Sequence, residues 1–566
     1  MKKTFFIILL SLLFINVDAQ FIPVKFRVTF SDKNNSTYSI SHPEQFLSLK
    51  SLVRRKNQNI SIKANDIPVN SWYIDSVRNA GAIVFTKSRW FNCVTVYTLD
   101  SNVISKIRSF PFVSRIDTLA DIGFKKSAKS QKYRDSMSGS NSYNNADMRD
   151  LEYTDLENRG TFDYGPSLTQ AQMIGIDYMH EQGCRGQNMT IAVIDAGFYH
   201  VDSIAVFDSL WINNQILGTK DFVNPGGNVF TQSSHGMMVL STMGGNIPGK
   251  IIGTAPKAKY WLLRSEEAAT EYPVEEDNWV SAAEYADSVG ADIINSSLGY
   301  TVFDNPHMSH SYADMNGHTC RATNGADMAA SKGIVVVNSA GNSGASSWYY
   351  IGSPADADSI LTAGAVNGLG VLAEFSSRGP TSDGRIKPTV CTMGEGSIVS
   401  GTDGNVSGEN GTSFSSPILA GAVACLWQAN PTKTNMEVIN SVIGSANKFN
   451  APDENYGYGI PNMTAANILL NGNRIYNFEK ENSITVFPNP FQDDFSLVFY
   501  SNDTSAFDIK IYDILGNLAF NEDKIMKNPG CNYFLITGAA NLQKGDYILK
   551  AVSENTIYTT KIIKTK

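Results

Sequence analysis

The chain has 566 residues, too many for one ordinary hydrophobic core, so two to four domains are expected. With 42% apolar and 18% charged residues it is neither disordered nor membranous in composition. A formal net charge of −8 argues against a nucleic-acid partner, which would call for a basic face.

Lys2 and Lys3 precede a short apolar run, Phe5 to Ile15, and Val17-Asp18-Ala19 stands before Gln20. Basic residues, an apolar stretch and a small-residue cleavage site make residues 1–19 a secretory signal peptide. The run is too short for a membrane-spanning helix, which needs about 20 apolar residues. From residue 20 to 120, β-type runs such as Val24 to Phe30 and Trp90 to Val96 alternate with amphipathic stretches, an α+β texture. Residues 121–165 turn to Lys, Ser, Asn, Asp and Gly, as in Ser136-Met137-Ser138-Gly139-Ser140, and read as an exposed linker.

From 166 to 472, apolar strands alternate with helices rich in small residues; Met189 to Ile194, Asp292 to Asn295 and Ile334 to Asn338 are examples. That alternation predicts an α/β fold, a parallel sheet flanked by helices on both faces. Such sheets gather their chemistry at the carboxyl ends of their strands. Residues 483–566 carry short alternating strands, for example Phe507 to Tyr512, broken by turns such as Leu515-Gly516-Asn517. This is the texture of a small β-sandwich.

Three segments of the 166–472 region present polar residues where chemistry is expected. Ile191-Ala192-Val193-Ile194-Asp195 is a buried strand that delivers a carboxylate at its end. Ser233-Ser234-His235-Gly236 opens a helix that enters the core through Met237 to Met243. Asn410-Gly411-Thr412-Ser413-Phe414-Ser415-Ser416-Pro417 leads into an apolar helix from Ile418 to Trp427. Ser413 therefore sits at a helix N-terminus, where free N–H groups favour developing negative charge. Pro417 is expected in the first turn, where a missing N–H costs little. Singly, these residues read as a turn, a structural histidine and an N-cap. The chain order Asp, His, Ser separates them from an esterase with a G-x-S-x-G elbow and a late histidine.

Residues 166–472 resemble the catalytic domain of the subtilisin-like serine peptidases. Gly411-Thr412-Ser413-Phe414-Ser415-Ser416-Pro417 matches the family's nucleophile motif, and Asn338-Ser339-Ala340-Gly341-Asn342 resembles the strand end that carries its oxyanion asparagine. Ser296-Ser297-Leu298-Gly299 resembles the segment that lines the first specificity pocket and pairs with substrate backbone. The resemblance implies a serine endopeptidase with Asp195, His235 and Ser413 as triad, Asn342 as oxyanion donor, and Ser297, Leu298 and Gly299 against substrate. It implies protein or peptide substrates, no cofactor for the chemistry, and room for a structural calcium, although no EF-hand-like loop is present. Two departures stand out: Ala196 follows the aspartate where Ser or Thr is commoner, and Met237-Met238 follow His235-Gly236 where Thr-His is usual.

The flanks carry resemblances of their own. Residues 20–120 resemble the propeptide of these enzymes, which implies an N-terminal domain that inhibits its own enzyme until release. Val486-Phe487-Pro488-Asn489-Pro490, Ile511 to Gly516 and Gly545 to Leu549 resemble the sorting domain of type IX secretion cargo. That implies contact with the type IX machinery, and release outside, or attachment to the outer surface of, a diderm bacterium.

Other polar groups read more plainly. No Cys-x-x-Cys pair occurs among the six cysteines, and Cys425 lies in an apolar run where it acts as a small hydrophobe. His307, His310 and His318 match no zinc spacing, so no metal ligands are assigned. The acidic stretch from Glu266-Glu267 to Glu275-Glu276-Asp277 reads as a solvated loop, with a bias of the substrate cleft towards basic residues as the alternative.

Overall fold

The computed structural model describes residues 22–122, 162–471 and 484–565, apart from 488, 493–494, 502–504, 528–529 and 553–556. The expected signal peptide (1–19) and most of the expected linker (121–165) lie outside the described residues.

The N-terminal domain is a four-stranded antiparallel sheet with three helices. Its strands are β1 (Ile22–Phe30), β2 (Ile83–Ser88), β3 (Cys93–Tyr97) and β4 (Val113–Ile122), in the order β2-β3-β1-β4. Its helices are α1 (Leu49–Asn57), α2 (Ser71–Asn79) and α3 (Ser101–Arg108). Val24, Phe26, Val28 and Phe30 are buried while the residues between them are half-buried, the period of two expected of a strand with one face on a core. Phe26, Val28 and Phe30 pack against Tyr73, Ile74 and Val77 of α2 and Ile107 of α3.

The central domain is built on a seven-stranded sheet: β5 (Thr190–Asp195), β6 (Ile216–Asp221), β7 (Lys259–Arg264), β8 (Ile293–Ser296), β9 (Val335–Ser339), β10 (Leu361–Val366) and β11 (Val390–Met393). All pairings are parallel and the order is β11-β10-β9-β8-β5-β7-β6. Both faces are covered, so β5 is buried throughout; Ile191 and Val193 feed one apolar cluster, Ala192 and Ile194 the other. Helices α4 (His235–Gly244) and α7 (Thr412–Ala429) lie on the first face, α5 (Val274–Val289) and α6 (Arg321–Ser331) on the second. Helix α7 is buried from Thr412 to Trp427, which explains why its sequence is apolar on every side.

The C-terminal region forms two antiparallel sheets. β12 (Ile484–Phe487), β13 (Phe495–Ser501) and β16 (Gly530–Ile536) make one; β14 (Ser505–Asp513), β15 (Leu518–Lys527), β17 (Gly545–Val552) and β18 (Ile557–Lys564) make the other, in the order β15-β14-β17-β18. Their shared core holds Phe495, Leu497, Phe507, Ile509, Ile511, Leu549 and Ile562, as the sandwich texture predicts.

The acidic stretch is not a solvated loop. Glu266, Glu271, Glu275, Glu276 and Asp277 are all buried, and the last three form the first turn of α5, where the helix dipole favours them. The N-terminal domain covers this helix. Arg27 donates to Asp277, and Arg54, Arg55 and Arg89 converge on the buried Asp287. The Glu284 carboxylate accepts from the Ser88 hydroxyl and from the main-chain N–H groups of Arg89 and Trp90. Trp90 is also not part of a strand: it lies between β2 and β3, and its side chain joins the cluster of Trp279, Val280 and Ala283 in the central domain.

Candidate active site

Strand β5 ends on Asp195, fully buried at the carboxyl edge of the sheet. Helix α4 begins on His235 and runs close beneath it: a β-carbon on Gly236 would lie 2.4 Å from the Gly197 carbonyl oxygen and 2.9 Å from Asp195 Cβ. Only glycine after the histidine allows that approach. His235 Nδ1 lies 2.7 Å from Asp195 Oδ1, which also accepts from the Ala196 N–H at 2.7 Å. Burial alone would depress the His235 pKa, but the Asp195 charge and hydrogen bond, with Glu266 beyond, hold it above the ordinary histidine value.

Ser413 is the second residue of α7, at the positive end of an 18-residue helix. Asn342 follows β9, and its Oδ1 accepts from both the N–H and the hydroxyl of Thr412, each at 2.9 Å. Thr412 Oγ1 in turn accepts from the Gly341 N–H at 3.1 Å. These bonds commit the carbonyl oxygen of the Asn342 amide to Thr412. Thr412 was not singled out by the sequence; it stands inside the motif that pointed to Ser413.

Leu298 and Gly299 continue from β8 along the same edge. The Leu298 carbonyl accepts from Asn338 Nδ2 at 3.1 Å, and Tyr300 bridges to Ser353 through N–H···O bonds of 2.7 and 3.3 Å. A β-carbon at Gly299 would meet nothing closer than the Ser353 oxygen at 3.7 Å. The Ser297 hydroxyl points inward and donates to the Ser413 carbonyl at 2.9 Å. Pro417 is the sixth residue of α7, not part of its first turn, because the helix begins at Thr412.

The three loop histidines are not gathered: His310 Nε2 pairs with Glu276 at 3.2 Å, while His307 and His318 use their main-chain N–H groups to cap local turns. Among the described residues, Glu266, Glu271 and Glu275 bring carboxylate oxygens within 4.8 Å of one another. Protein donors already enter this group; the Tyr300 hydroxyl donates to Glu266 and the Glu267 N–H to Glu275. No helix among the described residues is long and apolar enough to cross a membrane.

The profile of the Subtilase family matches residues 186–459, that of the Peptidase S8 propeptide domain of Bacteroidota residues 25–135, and that of the secretion system C-terminal sorting domain residues 485–565. The chain is similar to Subtilisin E of Bacillus subtilis, 31% identical over 296 residues, which cover 51% of this chain and 68% of that protein. It is equally similar to Subtilisin of Bacillus pumilus, at 31% over 296 residues covering 94% of that protein. Among solved structures, MycP1 from Mycobacterium smegmatis aligns with a TM-score of 0.43 at 22% identity, covering 55% of this chain and 86% of that one.

Proposed function

The chain belongs to the subtilase family of serine endopeptidases, and from that premise we propose that Asp195, His235 and Ser413 are its catalytic triad. The observation that supports this most is the 2.7 Å contact between a fully buried Asp195 and His235 Nδ1, at the strand edge where α7 presents Ser413. With Nδ1 held by Asp195, Nε2 is the nitrogen of His235 that acts as base. Ser413 Oγ attacks the scissile carbonyl while His235 Nε2 takes its proton. The tetrahedral oxyanion is met by Asn342 Nδ2 and the Ser413 N–H; losing one such donor costs about 10²–10³ in turnover in this class of enzyme. His235 then protonates the departing amine, and water, activated by the same nitrogen, hydrolyses the acyl-enzyme. Substrate lies as an extended strand beside Ser297, Leu298 and Gly299, since main-chain pairing gives affinity without demanding sequence.

The enzyme is a secreted zymogen with a propeptide domain and a type IX sorting tail. Our division of the chain is a signal peptide at 1–19, an inhibitory propeptide at 20–120, a linker at 121–165, the peptidase at 166–472 and the sorting domain at 483–566. The propeptide inhibits its own enzyme, the tail engages the type IX machinery, and the mature protein is released or held at the outer surface of a diderm cell. No cofactor enters the mechanism. A structural calcium, a hard cation that takes oxygen ligands, would have Glu266, Glu271 and Glu275 as its carboxylate donors and would supply rigidity there, taking no part in bond making or breaking.

Ser413→Ala tests the assignment. It is expected to abolish peptide hydrolysis, reaction with a fluorophosphonate probe, and removal of the N-terminal domain in a purified sample. Hydrolysis near wild type would place the nucleophile elsewhere.

A further inference from the structure

An unbroken α-helix would satisfy the carbonyl of Ser413 with the N–H of residue 417. Residue 417 is proline, which has no N–H and whose ring crowds the carbonyl four residues back. The Ser413 carbonyl is nevertheless partnered, because the Ser297 hydroxyl donates to it at 2.9 Å from the end of β8. Both residues are buried, so the bond is made in a setting where losing it leaves an acceptor with no water to replace the donor. Ser297 Oγ is itself approached by Asn295 Nδ2 at 3.5 Å. Three residues along α7, on the same side of the helix, the Ser416 hydroxyl donates to Asn295 Oδ1 at 2.9 Å. The end of β8 thus grips the start of α7 at two points one turn apart.

We propose that Ser297 is a positioning residue for the nucleophile, its hydroxyl standing in for the main-chain donor that Pro417 removes. The proposal rests on Ser413 being the nucleophile, and it assigns Ser297 a part in the reaction distinct from contact with substrate. The carbonyl it holds belongs to the nucleophilic residue itself, so a shift of that carbonyl moves the Ser413 Cα and with it the approach of Oγ to the scissile bond. Displacements of about 1 Å at that point are costly to turnover. The same strand end continues into Leu298 and Gly299, so the segment that receives substrate backbone is also the one that fixes the attacking serine.

The test is a kinetic comparison on processed enzyme, matured where necessary with a trace of active protease and counted by active-site titration. Ser297→Ala is expected to lower kcat on the order of tenfold or more while KM stays within about twofold, the mark of an effect on the chemical step. Ser297→Thr, which keeps the donor, is expected to retain kcat within about threefold. In a Pro417→Ala background the N–H of residue 417 is restored, and adding Ser297→Ala there should cost less than about threefold. A rise in KM at unchanged kcat, a Thr variant as slow as the Ala variant, or an undiminished loss in the Pro417→Ala background would each overturn the proposal. The Ser297 pair decides the matter even where Pro417→Ala fails to fold. Failure here with an inactive Ser413→Ala leaves the triad standing; an active Ser413→Ala removes both.

Discussion

Among the described residues, the Asp195 carboxylate accepts both of its hydrogen bonds on one oxygen. Oδ1 takes the Ala196 N–H and the imidazole, while Oδ2 is buried with no donor among the described residues. A hydroxyl at position 196, which the sequence shows to be absent, is the nearest covalent source of such a donor. His235 must be neutral to accept the Ser413 proton, so activity is lost as pH falls through its pKa. That pKa is set by burial, which lowers it, and by Asp195 and Glu266, which raise it. The neighbouring Arg264 faces away from the pair, donating to the Ala196 carbonyl and to Asp221. A hydrogen bond to Oδ2 would make Asp195 a weaker acceptor for His235. Ala196→Ser is therefore expected to move the acid limb of kcat/KM downward, with Ala196→Val leaving it in place. An unmoved limb in the serine variant would show that Oδ2 has no hold on His235. The three proposed triad residues stand out in the sequence because each sits at a strand or helix end with a recognisable neighbour. The inward turn of Ser297 was not, since a hydroxyl's partner 116 residues away leaves no local mark.

The fold of the central domain was readable element by element, because strands buried on both faces are apolar runs and the long helix α7 is apolar all round. Helix α5 was misread at its start for an equally physical reason. Carboxylates spaced along a sequence look solvated, and nothing local reveals Arg27 and Arg321, which reach Asp277, or His310, which reaches Glu276. Further along α5 the N-terminal domain adds an anchor. The turn Ser88-Arg89-Trp90 offers a hydroxyl and two N–H groups to Glu284, extends Arg89 to Asp287 and sinks the indole among Trp279, Val280 and Ala283. A buried aromatic beside a desolvated ion pair is the usual make-up of an interface hot spot, where truncation costs about 2 kcal/mol or more. Trp90→Ala is accordingly expected to loosen the N-terminal domain once the chain is cleaved. The measurement is the lag between cleavage, followed on a gel, and the appearance of full activity; it should shorten on the order of tenfold or more. An unchanged lag would put the anchor elsewhere on the interface.

Among the described residues, the tail packs chiefly on itself. Its core is its own, with Phe495, Leu497, Phe507, Ile509 and Leu549 packed between its two sheets, and a contact such as Gln492 Nε2 to the Leu369 carbonyl at 3.2 Å is an exposed one. The proposed triad residues, Asn342 and the Ser297–Gly299 edge all precede residue 472, so on the proposed mechanism the tail supplies none of the chemistry. What it does present is a turn, Asp513 to Asn517, braced by Asp513 accepting from the Leu515 and Asn517 N–H groups. That turn carries Ile514 and Leu515 at 77% and 82% exposure, a feature that does nothing for stability and suits a surface read by another protein. Deleting residues 483–566 is therefore expected to leave a folded, active peptidase when the protein is exported by a different route, and to abolish passage across the outer membrane in the native host. Both are followed by peptide hydrolysis in the medium and in cell fractions. A truncated enzyme that still reaches the medium through its native route would make the tail a binding module. One that is inactive by either route would make these strands part of what holds the catalytic domain together, against the separation of their core from its own.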